Sequence, residues 1–194
     1  MLANLAVFLD RDGTLNEDSG YVTSPEQLVL FPGVPEALAR LNDIGVQVIL
    51  VTNQSAIGRG FMTADDFQLI HQKLVDLLQV HDGSIDAVYY CPHHPNEDCA
   101  CRKPNIAMIQ QAAVDFSLDL SRCYFVGDKW SDLEAASRVG ASGVLVRSSD
   151  YSTAALQARD HGQFSIAYVA DTFVQAVDWI VQELLQQQEC VSEK

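Results

Sequence analysis

Short apolar runs that stop abruptly at polar or acidic residues set the rhythm of this chain. Leu5-Ala6-Val7-Phe8-Leu9 stops at Asp10-Arg11-Asp12, Val48-Ile49-Leu50-Val51 at Thr52-Asn53-Gln54-Ser55, and Tyr124-Phe125-Val126 at Gly127-Asp128. Runs of this length without alternation mark strands buried on both faces. Helical spacing lies between and after them, most clearly at Phe173, Val174, Val177, Ile180, Val181, Leu184 and Leu185. The pattern predicts strands near 5–10, 47–52, 87–91, 123–127, 143–146 and 166–169, and helices near 34–44, 63–80, 105–118, 131–139 and 172–188. Strand alternating with helix is the signature of an α/β fold, a doubly wound (Rossmann-like) parallel sheet with helices on both faces. Ser148 to Phe164 reads as loosely organised and Glu189 to Lys194 as a frayed end. The intervals between runs leave no room for a large cap domain. Selection of a ligand then falls to short loops at Glu17–Pro32, Ala56–Met62 and Cys91–Cys101.

Composition narrows the class. With 194 residues, 48% of them hydrophobic, the chain can bury one core and is expected to form a single domain over 1–194. No apolar run approaches the ~20 residues that span a bilayer, and no charged-then-apolar leader opens the chain, so a cytoplasmic protein is expected. A formal net charge of −14 argues against nucleic acid or an anionic membrane as partner. Five of the twelve basic residues, Arg11, Arg59, Arg102, Lys103 and Lys129, nevertheless fall in or beside the polar ends of the runs. A locally positive pocket inside an acidic protein fits that placement, with a divalent cation adding to it.

Asp10 and Asp12 carry the first candidate chemistry. Gly13 lets the backbone turn away from them and Thr14 adds a hydroxyl. Two carboxylates this close repel, so a cation between them or a raised pKa on one is expected. One acid can serve as nucleophile and metal ligand, the other as proton carrier. Alone, the pair reads equally well as a solvated loop after a strand. Thr52, Lys103 in Arg102-Lys103-Pro104, and Asp128 with Asp132 likewise have bland readings as strand end, surface charge and helix cap. An acid pair, a hydroxyl, a lysine and further acids in that order, mostly behind buried strands, is harder to attribute to chance.

Cysteine spacing marks a second site. Cys91-x-His93 followed by Cys99-x-Cys101 offers three thiolates and an imidazole to one tetrahedral ion, the set a structural zinc prefers. A disulfide is the rival, disfavoured in a reducing compartment. With all four positions filled, such a zinc has no place for a reacting water, and its task would be to stiffen the 91–101 loop that leads into Arg102-Lys103. His94 reads as a spare imidazole that competes with His93, and Cys123 and Cys190 as bystanders.

The four ordered segments resemble the motifs of the haloacid-dehalogenase-type phosphatases: Asp10 and Asp12 match the first, Thr52 the second, Lys103 the third, and Asp128 with Asp132 the fourth. The resemblance runs from Leu5 to about Val146. Within that family the chain looks most like the bacterial D-glycero-D-manno-heptose 1,7-bisphosphate 7-phosphatases, through Asp18-Ser19-Gly20-Tyr21-Val22, Thr52 to Gly60, Cys91-Pro92-His93-His94-Pro95 and Gly127-Asp128-Lys129. The resemblance implies a Mg²⁺-dependent phosphomonoester hydrolase working through an aspartyl-phosphate. Mg²⁺ would take the Asp10 carboxylate, the Asp12 carbonyl and Asp128. Asp10 would be the nucleophile, Asp12 the acid and base, and Thr52 and Lys103 the groups that hold the phosphoryl oxygens. Asp132 would orient Lys103 or a metal-bound water. Asp18, Ser19, Gly20, Tyr21, Asn53, Gln54, Ser55, Arg59, Arg102 and Lys129 would contact the sugar or its second phosphate. The histidinol-phosphate phosphatases are similar too, sharing the cysteine loop and the Arg-Lys-Pro step, so histidinol phosphate or another small ester is the alternative substrate. The alternative of another class is a phosphoacceptor signalling domain, against which Asp12 speaks as a base that would shorten the phosphoryl-aspartate's life. A monomer handling a small sugar bisphosphate is expected.

Overall fold

A computed structural model describes residues 4–18, 20–148, 151–160, 162 and 164–192. Six strands form one parallel sheet: β1 (Ala6–Leu9), β2 (Gln47–Asn53), β3 (Ala87–Cys91), β4 (Tyr124–Gly127), β5 (Ser142–Val146) and β6 (Tyr168–Ala170), in the order β3-β2-β1-β4-β5-β6. The helices are α1 (Val34–Asp43), α2 (Ser55–Gly58), α3 (Ala64–Gln79), α4 (Ala107–Asp115), α5 (Trp130–Val139), α6 (Tyr151–Asp160) and α7 (Phe173–Ser192).

The lack of alternation in the central strands follows from burial on both sides. Val7, Leu9, Val48, Leu50 and Val126 pack in one cluster with residues of α1, α3 and α7. Ala6, Phe8, Ile49, Val51 and Phe125 point the other way, against Met108, Ile109 and Ala112 of α4 and Ala135 and Ala136 of α5. Every residue of β1 is fully buried, so any polar side chain can come only at its end. The chain winds outward from β1 to β3, returns to β4 beside β1, and winds outward again to β6. The β1/β4 boundary is therefore the switch point, outside whose carboxyl ends ligands bind in such sheets.

The predicted strands and long helices all occur, with ends shifted by a few residues. Two helices were not anticipated. α6 occupies the stretch read as loosely organised; among its side chains only Ala155 is wholly buried on an apolar neighbour set, with Leu145 and Phe164, too thin a stripe to announce a helix. α2 is a single turn after β2, too short for periodicity to register. Of the segment read as a frayed end, residues 189–192 belong to α7, and Glu193 and Lys194 lie outside the described residues. Among the described residues no helix is long and apolar enough to cross a membrane.

Candidate active site

The ends of β1 and β4 bring three acids together. Carboxylate oxygens of Asp10, Asp128 and Asp132 lie within 4.8 Å of one another, and all three residues are buried. The turn after β1 is built for this approach. Gly13 has φ +88, and a Cβ there would lie 2.4 Å from Asp128 Oδ2, so only glycine leaves Asp128 its place. Three buried carboxylates with oxygen as their only donors suit a hard divalent cation such as Mg²⁺.

Lys103 supplies the counter-charge. Its Nζ lies 2.8 Å from Asp10 Oδ1 and 2.7 Å from Asp132 Oδ1, and donates to the Val51 carbonyl at 2.6 Å. Burial would lower its pKa, but Asp10 and Asp132 outweigh that and hold it charged. Burial and then Asp10 push the Asp132 carboxyl up against the opposing pull of Lys103. Thr52, 1% exposed, ends the run of β2 beside them, and its Oγ1 accepts from Gln54 Nε2 at 3.0 Å. These groups line a recess of about 30 Å³ that includes Asp10, Asp12, Thr52, Lys103, Lys129 and Asp132.

The Asp12 carboxylate stands apart from the acid cluster. Its Oδ1 accepts from Arg11 Nε and Asn16 Nδ2, both at 3.0 Å, and its Oδ2 from Arg11 Nη2 and Gln54 Nε2, both at 2.9 Å. Burial alone would raise its pKa; the Arg11 charge and the bonds from Asn16, Gln54 and Arg11 together bring it below the usual value.

Above the recess opens a cleft of about 600 Å³, ample for a phosphorylated sugar. Asp12, Asp18, Gly20, Tyr21, Asn53, Gln54, Ser55, Arg102, Lys103 and Lys129 all line it. Asp18 Oδ2 accepts from Lys129 Nζ at 2.9 Å, and that ammonium also sits 4.8 Å from the Tyr151 ring centre. Burial works against the charge on Lys129, while Asp10, Asp128 and Asp18 hold its pKa well above normal. Arg102 Nη1 is buried with no hydrogen-bond partner among the described residues.

Several expected substrate contacts find other partners. Asn53 bonds the Lys103 backbone at both ends, Nδ2 to the carbonyl at 3.2 Å and Oδ1 from the amide at 3.0 Å, so it clamps the lysine's peptide. The Gln54 amide is spent on Arg11, Asp12 and Thr52. Arg59 does not line the cleft; it is exposed and lies over the outer ring of Tyr21, 5.9 Å from its centre. Ser19 lies outside the described residues. Sequence reasoning missed Arg11 and Asn16 around Asp12, although both sit within a few residues of it. It also missed Trp130 and Tyr151 in the cleft wall, which no local pattern distinguishes, whereas Glu97 and Asp98 reach that wall from the 91–101 loop expected to select the ligand.

Cys91, His93, Cys99 and Cys101 come together on the far side of β3. Cys91 Sγ is 3.6 Å from Cys99 Sγ and 3.5 Å from His93 Nδ1, Cys101 Sγ is 3.7 Å from Cys99 Sγ, and His93 Nδ1 is 3.1 Å from Cys101 Sγ. A tetrahedral zinc with Zn–S near 2.3 Å requires edges of roughly 3.8 Å, so the set fits that ion. The separations are too long for a disulfide, whose sulfurs lie about 2.05 Å apart. Burial raises the Cys91 and Cys101 thiols, a cost that a bound cation would remove by taking thiolates. The loop is anchored on α2: a Cβ on Gly58 would fall 2.2 Å from the His94 backbone nitrogen.

A family model described as HAD-hydrolase-like matches residues 100–176. The D-glycero-D-manno-heptose-1,7-bisphosphate 7-phosphatase of Thermosynechococcus vestitus is 38% identical over 190 residues, covering 92% of this chain and 96% of that one. The D-glycero-beta-D-manno-heptose-1,7-bisphosphate 7-phosphatase of Haemophilus ducreyi is 44% identical over 157 residues, covering 77% and 86%. Among solved structures, the D,D-heptose 1,7-bisphosphate phosphatase of B. bronchiseptica, complexed with magnesium and phosphate, superposes with a TM-score of 0.84 at 34% identity, over 93% of this chain and 99% of that one.

Proposed function

We propose, for a chain that belongs to the haloacid-dehalogenase-type phosphatases and is itself a phosphatase, that it removes the 7-phosphate of D-glycero-D-manno-heptose 1,7-bisphosphate. The observation that carries the substrate is Arg102, a cleft-lining guanidinium whose buried Nη1 has no protein partner. Lys103 sits at the reacting end, so a second cation in the wall suits a second phosphate. The similarity to named heptose bisphosphate phosphatases supports the same substrate.

Asp10 attacks phosphorus, and the bond to the sugar oxygen breaks as Asp12 gives that oxygen a proton. Water then attacks the aspartyl-phosphate, Asp12 takes the water's proton, and Asp10 is freed. Thr52 and Lys103 hold the phosphoryl oxygens as negative charge grows on them. Asp132 orients Lys103 through their 2.7 Å pair. Asp10, Asp128 and the Asp12 carbonyl hold Mg²⁺, which supplies charge neutralisation at the phosphoryl group. Asp18, Gly20, Tyr21, Ser55, Arg102 and Lys129 form the sugar and remote-phosphate wall. Zinc on Cys91, His93, Cys99 and Cys101 fixes the loop that delivers Arg102 and Lys103. The chain is read as one domain acting as a monomer in the cytoplasm.

Glu97 and Asp98 in the same wall favour a second reading, because two carboxylates suit the ammonium group of histidinol phosphate. Kinetics on the bisphosphate, histidinol phosphate and a simple aryl phosphate separate the two. The bisphosphate is expected to give the highest kcat/KM, and a wild-type preference for histidinol phosphate would overturn the heptose assignment. Arg102→Ala is expected to lower kcat/KM for the bisphosphate at least about tenfold more than for the aryl ester, since remote binding energy orients the reacting phosphate. Equal losses would place Arg102 at the shared phosphoryl site instead.

The two metals are expected to part under mild chelation. Oxygen-ligated Mg²⁺ should leave with activity and restore it on return, while zinc held by three thiolates stays. Elemental analysis that finds no zinc in protein purified without chelator would remove the second site.

A further inference from the structure

Arg11 is the largest fully buried side chain among the described residues, 1% exposed, and it lines neither the recess nor the cleft. Its fork closes on Asp12 through Nε at 3.0 Å and Nη2 at 2.9 Å. Nη2 also donates to Gln54 Oε1 at 3.3 Å, and the same glutamine's Nε2 reaches Asp12 Oδ2 at 2.9 Å and Thr52 Oγ1 at 3.0 Å. Arg11 lies over the Phe67 ring, 5.8 Å from its centre, and its Nη1 is buried without a hydrogen-bond partner among the described residues. A buried guanidinium with an idle donor is a poor way to fill apolar space, which a methionine or leucine would fill at less cost. Residues that break local rules in this way are kept for a site.

We propose that Arg11 is a positioning residue for the second half of the reaction, aiming the Asp12 carboxylate at the water that cleaves the aspartyl-phosphate. Every group that meets Asp12 from Arg11, Asn16 and Gln54 is an N–H donor, so this cradle receives the carboxylate, the form a base needs. Asp12 and Asp10 both line the same small recess, so the cradled residue belongs to the pocket in which Asp10 would be phosphorylated. In the step it serves, the water oxygen bonds to phosphorus, the bond from phosphorus to the Asp10 oxygen breaks, and the water's proton passes to Asp12. Gln54 ties the same cradle to Thr52, so base and phosphoryl-holding hydroxyl are set by one network. A lysine could supply the charge but not the fork that fixes both oxygens. The proposal rests on the aspartyl-phosphate mechanism given above and does not depend on which sugar is the substrate.

The test uses Mg²⁺-loaded full-length protein and p-nitrophenyl phosphate, whose good leaving group needs no acid in the first step. Arg11→Met is expected to lower kcat about 10²-fold, the scale of an oriented base, with KM not increased. Rapid mixing should then show a burst of nitrophenol close to one per site, with phosphoenzyme trapped by acid quench, because the second step has become limiting. Arg11→Lys is expected to recover part of kcat while keeping a burst. If Arg11→Met gives no folded protein, the burst of Arg11→Lys decides alone. Variants that slow without a burst, while wild type still yields trapped phosphoenzyme, would overturn the role of Arg11 and leave the mechanism intact. No phosphoenzyme from any form would overturn both.

Discussion

Asp10→Asn is expected to abolish turnover, by roughly 10⁴-fold or more, while the protein remains folded. The amide is nearly the same size and shape as the carboxylate, but it lacks the anionic oxygen that would attack phosphorus. Stability argues in the same direction. Removing one member of a buried ion pair commonly costs about 3–5 kcal/mol because its partner is stranded. Here Lys103 is not stranded, since Asp132 remains 2.7 Å away and the Val51 carbonyl 2.6 Å away. The substitution also relieves repulsion among Asp10, Asp128 and Asp132. Metal-free Asp10→Asn should therefore melt at or near the wild-type temperature. Turnover of an aryl phosphate, acid-quench trapping and thermal melting check the three claims together. Near-normal kcat would exclude the covalent route.

What the sequence displayed depended on how local each cause was. Asp10, Thr52 and Asp128 follow strands whose burial on both faces forces continuous apolar runs, so the run and the residue after it are read together. Cys91, His93, Cys99 and Cys101, which would hold zinc, share a short segment, and thiolate spacing is itself a local signal. Lys103 follows no strand: its position comes from Asn53, fifty residues earlier, gripping its peptide. Nothing near either residue announces that clamp, which Asn53 makes while also lining the cleft. Gln54 likewise lines the cleft while its amide is shared between Arg11, Asp12 and Thr52. The far wall of the cleft was least legible. Tyr151 begins a helix in which Ala155 is the wholly buried apolar side chain among those described, and the chain before it is held to the site by the Ser148 hydroxyl on the Gly13 carbonyl. Arg59, a basic residue near a motif, is not among the cleft-lining residues but lies over the ring of Tyr21, which is.

Lys103→Met should have the second largest effect, and it should divide into catalytic and structural parts. In the mechanism proposed above the lysine carries the charge opposite the phosphoryl oxygens, and losing such a donor costs about 10²–10³-fold in kcat. It is also the ammonium between Asp10 and Asp132 in a recess where Lys103 is only 3% exposed. Without it two buried carboxylates lose their pair, a destabilisation of about 3–5 kcal/mol at neutral pH in metal-free protein. Mg²⁺ meets the same acids, so it should raise the melting temperature of the variant more than that of wild type. The pH dependence has a definite sign. Burial and Asp10 already raise the Asp132 pKa, and Lys103 is the first of the groups that oppose them. With Lys103 gone that pKa rises further above its unfolded value. A carboxyl so raised stabilises the fold while protonated, and the contribution is lost as pH rises through the folded pKa. The metal-free deficit of Lys103→Met should therefore shrink as pH falls from about 8 to about 5 and grow again on return. Thermal melts with and without Mg²⁺ across that range measure it. A variant as stable as wild type without metal, at every pH, would mean that the acids are not held as charges by Lys103.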